Sequence, residues 1–392
     1  MTNSSEHRLT FDHAVIGGGF AGVAAALASA RNGASTCLVE RTAALGGLST
    51  QGLVVVFLPL CDGFGRQVTY GIPEELLRLP MRHSAAKPSK DRYELVFDPG
   101  PMMLGLEQLL LEAGVTPLYD TDVIGAEVRD GRLLSVGMDR AGERWHLAAN
   151  VFTDATGSAA LARLCGVPTL SGLAGNTPGG RYYVVDHDRR VSLRCQAGRA
   201  FTQEHPDEDV PCDGGDPNAR NRHLLASRRA ILLDNARENK RLAAEGKPPV
   251  HIFSIPTYST LLKQRRLDGP CGGPVVGIVS DWRKRGPVYP IGLDSLRAPG
   301  MKNLLAAGRC IACDEALWDI MRCLPACCAS GQAAGTAAAL LPPGGDLSAL
   351  NPDTLRTKLE ADGVRLDASL LVPSPDYRPD SPPERESHAP VS

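Results

Sequence analysis

Three glycines define the first chemistry open to this chain. Gly17, Gly19 and Gly22 are spaced as G-x-G-x-x-G, between an apolar run and a run of small residues. The first permits a tight turn. The second removes a side chain where backbone must approach a pyrophosphate, and the third lets a helix pack closely on a sheet. A helix starting there turns free N–H groups and the positive end of its dipole toward phosphate. Glu40, twenty-three residues after Gly17, closes a second apolar run, where a carboxylate can accept hydrogen bonds from a ribose hydroxyl. The pattern predicts a dinucleotide site and leaves the dinucleotide open between FAD and NAD.

The elements that must hold these residues follow from the apolar pattern. Residues from Phe11 read as a strand running into the glycine turn, the small residues after the turn as a helix, and 35–40 as a second strand. A loop with Gly46, Gly47 and Ser49 comes next, and Leu53 to Leu60 is an apolar run with the character of a buried strand. A polar glycine loop carrying Arg66 and Gln67 leads to a short helix opened by Pro73. Met102 to Ala113 has helical spacing. Strand-like runs at 115–119, 123–128, 132–138 and 143–149 are punctuated by Asp130–Gly131 and Ala141–Gly142, which predicts a β-meander. Asn150 to Gly157 is an apolar strand entering a small-residue turn.

Residues 168–290 differ in texture, with charge clusters, a Pro/Gly/Asp-rich link and a polar helix from Asn221 to Glu245. The chain then returns with an apolar strand ending at Gly308 and a glycine- and alanine-rich helix around 329–340. Such a helix implies close packing against another element, because glycine is otherwise unfavourable there. The fold class expected is α/β: a Rossmann-like nucleotide-binding domain with a β-meander, plus an inserted α+β substrate lobe. The expected boundaries are an N-terminal extension (1–10), the first part of the nucleotide domain (11–167), the lobe (168–290), the return (291–345), a C-terminal segment (346–371) and a disordered tail (372–392).

Composition narrows the setting. A chain of 392 residues with 43% hydrophobic and 22% charged residues can bury a sizeable core. Its 42 basic and 44 acidic residues leave a net charge of −2, which offers no field for nucleic acid or an anionic membrane. No apolar stretch is long enough to span a bilayer and the N-terminus lacks a secretory pattern, so a cytoplasmic setting with reduced thiols is expected.

Three separated segments together resemble the FAD-dependent oxidoreductase family, within the glutathione-reductase-like clan and distantly related to the flavin subunit of heterodisulfide reductase. They are Val15–Gly22 with Glu40 and Gly46–Thr50, then Phe152–Gly157, then Leu304–Ile311 with Gly331–Gly335. The resemblance covers residues 11–165 and 290–341. It implies non-covalent FAD held by Gly17, Gly19, Phe20, Ala21, Gly22, Glu40, Arg41, Gly46, Gly47, Ser49, Asp154, Ala155, Thr156, Gly157, Gly308 and Arg309. A nicotinamide enzyme needs only the first segment, whereas this family must return late in the chain to hold the rest of the flavin. Many members of the clan have Gly-Asp where this chain has Gly308–Arg309, which puts a cation near the flavin or its phosphates.

The reaction implied is hydride transfer between flavin and a small organic substrate, with an electron donor or acceptor that the sequence does not name. Arg309, Glu315 and Arg322 are the candidate catalytic groups, with Arg66 and Gln67 beside them. His251 and Tyr289 are further acid–base candidates. Cys310, Cys313, Cys323, Cys327 and Cys328 keep two alternatives open, a dithiol relay and, less favoured, a 4Fe–4S cluster. Buried structural thiols are the leading reading, no metal ligand is assigned, and a non-redox flavin-binding protein is a further alternative. A homo-oligomer is compatible with the sequence.

Overall fold

Val15 and Ile16 must be buried on both faces if the glycine turn is to sit at a sheet centre, and the computed structural model places them so. It describes residues 7–82, 88–89, 93–171, 180–196, 216–258, 261 and 264–374. Residues 375–392, most of the expected tail, lie outside these.

The described residues fall into two units. Among the described residues, the first draws on 7–46, 56–170 and 265–374, the second on 47–55 and 171–264. The second unit overlaps the lobe expected over 168–290 along 171–264. Val275–Ser280 and Val288–Gly292 pair as an antiparallel ribbon inside the first unit. A Cβ added to Gly277 would come within 3.4 Å of Ala329 on the small-residue helix, so the ribbon packs there.

The first unit is built on a seven-stranded sheet. His7–Ile16 runs parallel to Thr36–Val39 on one side and to Glu143–Asp154 on the other, and Thr116–Leu118 extends the parallel part. Glu143–Asp154 changes partner along its length. Its first half pairs antiparallel with Arg132–Arg140, and Phe152 to Asp154 pair parallel with the return strand Leu304–Ala306. Asn303 closes the fork. Its Nδ2 donates to the carbonyls of Leu133 and Asn150, and its Oδ1 accepts the Leu133 N–H. The meander appears as expected, with Thr121–Arg129 as its outer strand. Asp130, Gly131, Ala141 and Gly142 all have positive φ, the twist that tight hairpin turns require. The apolar run 53–60 supplies only a two-residue strand, Val56–Phe57, paired with Leu95–Val96.

Two helices carry the glycine turns. Phe20–Arg31 is buried from Phe20 to Ser29, as a helix apolar all round must be. Leu324–Leu340 packs against it so closely that a Cβ on Gly331 would strike the Ala21 carbonyl and one on Gly335 the Ala25 carbonyl. Glycines four residues apart on one helix therefore seat residues four apart on the other. This is the close packing that the glycine content implied.

The second unit is an antiparallel sheet of Val191–Gln196, Gly180–Val185 and His251–Ser254, covered by the helix Pro217–Ala244. Tyr182, Val184, Ile231 and Val250 form its core. Tyr182 donates to Asp234, and Arg194 makes a two-pronged ion pair with Glu238.

Candidate functional site

Gly17 leaves the first strand at φ +109°, and an added Cβ would stand 2.5 Å from the Ala155 carbonyl oxygen. At Gly22 an added Cβ would run into the Gly17 carbonyl. Gly19 is different. It caps the helix Phe20–Arg31, and nothing lies within 4 Å of where its Cβ would be. The turn is closed by protein at Gly17 and Gly22 and open at Gly19, which is the cradle a phosphate at a helix N-terminus needs. The Phe20 side chain turns away into the core, edge-on to Phe57 at 5.9 Å.

Glu40 is 6% exposed and held from two sides. Oε2 accepts the Gly18 N–H at 2.7 Å, while Oε1 accepts the backbone N–H and hydroxyl of Thr42 at 3.0 and 2.8 Å. This leaves Oε2 room for one further donor. Thr42 was not singled out from sequence, although its place two residues after the acid is the signal for it. Arg41 is exposed. Gly46, at φ +93°, returns the loop to the turn and donates its N–H to the Gly18 carbonyl at 2.8 Å. Gly47 and Ser49 form a short 3-10 turn that belongs to the second unit.

The turn after Glu143–Asp154 spends its side chains internally. Asp154 is wholly buried; Oδ1 accepts the Thr156 N–H and hydroxyl, and Oδ2 accepts the Ala162 N–H. The Thr156 oxygen in turn accepts the Ala160 N–H at 3.0 Å. What this turn presents toward Gly17 is therefore its backbone at Ala155 and Thr156. The Ala155 N–H continues the sheet to the Ile16 carbonyl.

The return strand brings the third segment to the same place. Gly308 has φ +69°, donates its N–H to the Ser330 hydroxyl at 2.9 Å, and leaves 2.7 Å between an added Cβ and that of Ala21. The half-buried Arg309 lays its guanidinium where a Cβ on Gly157 would be. Segments near residues 20, 155 and 308 thus meet within one unit. Ser330 was missed from sequence, because a serine inside a small-residue helix carries no distinguishing pattern.

The other candidates are engaged elsewhere. Glu315 pairs with Arg266 at 3.2 Å, and Arg266 is nearly buried, donates to the Cys313 carbonyl and lies over Trp318. Arg322 pairs with Asp319 at 3.0 Å and faces the Trp282 ring. Arg66 is held by Asp62 and donates to the carbonyls of Ser369, Leu370 and Val372, so it tethers the C-terminal segment. Gln67 donates to Glu74 and the Thr69 carbonyl. Tyr289 donates to Asp281, and His251 is exposed in the second unit.

Burial pushes the Cys313 and Cys323 thiols up to about 12 and Cys327 to about 11, and holds those of Cys310 and Cys328 well above the ordinary thiol range. Thiols so placed stay protonated at neutral pH, which disfavours a dithiol relay. Among the described residues no three His, Cys, Asp or Glu side chains are grouped to hold a metal ion, so the cluster alternative finds no support there. Nor, among them, is any helix long and apolar enough to cross a membrane.

No curated protein matches the chain. Solved structures with similarity include Thermovibrio ammonificans THI4, at 18% identity and TM-score 0.33, over 41% of this chain and 63% of that one. A geranylgeranyl bacteriochlorophyll reductase-like protein of Thermoplasma acidophilum is 12% identical, TM-score 0.45, over 91% and 92%. A 3-ketosteroid-delta4-(5alpha)-dehydrogenase of Rhodococcus jostii RHA1 is 16% identical, TM-score 0.37, over 85% and 96%. The chain thus spans less than two thirds of the THI4 chain. A family model described as FAD dependent oxidoreductase matches residues 12–256 and 277–359, and so takes in the glycine turn, Glu40, the Asp154–Gly157 turn and Gly308–Arg309. On that match the chain belongs to the FAD-dependent oxidoreductase family.

Proposed function

We propose that this protein carries non-covalent FAD across the first unit and transfers a hydride between it and a small organic substrate. The observation that carries the reading is the open space at Gly19, with Gly17, Ala155–Gly157 and Gly308–Arg309 gathered in the same unit. The N-terminus of Phe20–Arg31 receives the pyrophosphate, with Ala21 and Gly22 in its first turn. Glu40 accepts a ribose hydroxyl through Oε2, and Arg41 and Gly46 complete the adenosine side within the same unit. The Asp154–Gly157 backbone and the Gly308–Arg309 turn hold the remainder.

Bound FAD supplies two-electron redox chemistry; the protein supplies position, exclusion of water and charge. Arg309 is the catalytic candidate that this geometry favours, since its cation sits beside the Gly157 turn and can favour an anionic partner. The ion pairs of Glu315 and Arg322 support structural roles for both. The test is the absorption spectrum of purified protein before and after acid precipitation. A flavin band that passes into the supernatant is expected. A colourless protein that also fails to bind added FAD sinks the proposal.

A further inference from the structure

We infer that Cys310 is a positioning residue whose thiol ties the Gly308–Arg309 turn to the Asp154–Ala159 turn, and so sets the Arg309 guanidinium over Gly157. The inference rests on the FAD reading above and gives a task to a thiol that the reading leaves unused.

The Cys310 sulfur accepts the Ala159 N–H at 3.2 Å, and its S–H faces Asp154 Oδ1 at 3.7 Å. The Thr156 hydroxyl is 4.0 Å away. One side chain of the third segment therefore engages three residues of the second. The contact at Ala159 answers a specific need. Ala159 is fully buried with φ +50°, a left-handed conformation that is unfavourable for an L-residue. A buried N–H without an acceptor adds a further cost, and sulfur is the acceptor here.

Asp154 makes the other half of the tie. Its carboxylate already receives Thr156 and Ala162, and its own carbonyl receives the Ala307 N–H. Linking Cys310 to Asp154 thus joins the ends of two neighbouring strands through side chains as well as backbone. Complete burial holds the thiol well above its ordinary range, so the S–H needed as donor persists at neutral pH. On the far side of the turn, Cys327 acts in the same sense. Its S–H faces the Arg322 carbonyl at 3.3 Å, and its sulfur stands 3.4 Å from where a Cβ on Gly308 would be.

The experiment compares wild type, Cys310→Ala and Cys310→Ser for FAD affinity by flavin fluorescence and for flavin midpoint potential. Cys310→Ala is expected to raise the FAD Kd at least tenfold and to shift the potential. Cys310→Ser, which keeps a donor and an acceptor, is expected to stay within threefold of wild type. Amide exchange at Ala159 in wild-type holoprotein is read alongside and is expected to be slow; fast exchange overturns the inference even if the alanine variant does not fold. Equal losses in the two variants also overturn it, because volume alone would then explain them. So does a Cys310→Ala protein with wild-type affinity and potential. Failure of wild type itself to bind FAD would instead remove the underlying reading.

Discussion

Gly22 stands so close to the Gly17 carbonyl that even a methyl group must move one of the two turns. Gly22→Ala is expected to weaken FAD binding at least tenfold and to cost about 1–3 kcal/mol of stability, as overpacking does; fluorescence titration and urea unfolding measure the two effects. Gly19 has no such protein neighbour, so a methyl group there should interfere through the ligand alone. Arg309 can be tested without disturbing the turn's backbone. Arg309→Met is expected to leave the fold intact and to slow flavin reduction about tenfold or more, in line with the loss of one preorganised electrostatic group. Stopped-flow reduction checks it, and an unchanged rate would assign Arg309 to structure alone.

At the scale of elements, the pairing of Phe20–Arg31 with Leu324–Leu340 joins the glycine turn to a helix about three hundred residues later. The joint depends on Gly331 and Gly335 meeting backbone rather than side chain. Gly335→Val is expected to force the helices apart and lower stability by about 1–3 kcal/mol, with the Tm of apoprotein as the measurement. It should affect FAD affinity less than Gly22→Ala, since Gly335 lies beyond the first turn of the partner helix. The strands themselves were largely legible from their alternation and their turns. The partner change along Glu143–Asp154 was not, because it depends on where Asn303 finds the Leu133 and Asn150 backbone. The 53–60 run shows the converse: its residues are apolar enough for a strand, but only Val56 and Phe57 find a partner.

At the scale of the molecule, stability should depend on pH through two buried histidines. His13 sits in the central strand, completely buried, with Nε2 bonded to the Thr153 hydroxyl and Nδ1 without a partner, and burial lowers its pKa to about 3. His223 of the second unit is lowered to about 4 for the same reason. Below the ordinary value of 6.5 the unfolded chain takes up protons that the fold refuses. Stability should therefore fall as pH drops from 6.5 toward 4, by up to about 1.4 kcal/mol per pH unit for each histidine. Urea midpoints at pH 7.5, 5.5 and 4.5 test this. His13→Asn should flatten the slope; an unchanged slope would remove His13 from the account.

The local chemistry of this protein was written in its order of residues. Glycines at 17, 19 and 22, an acid at 40, a small-residue turn at 154–157 and a late Gly308–Arg309 declare themselves because turns, strands and helix starts are short-range events. They were enough to indicate the family and its cofactor. Tertiary structure alone decided which side chains were left to act. Asp154, Thr156, Glu315, Arg322 and Arg66 all looked available as residue types, and each is taken by a neighbour distant in sequence or by its own turn. It also decided that Cys310, Cys323 and Cys327 are buried and hydrogen-bonded and that the ribbon at 275–292 belongs with the first unit. The reason is physical: a hydrogen bond or an ion pair is a fact of three-dimensional proximity, and residue type fixes only what a group can do, not which partner reaches it first.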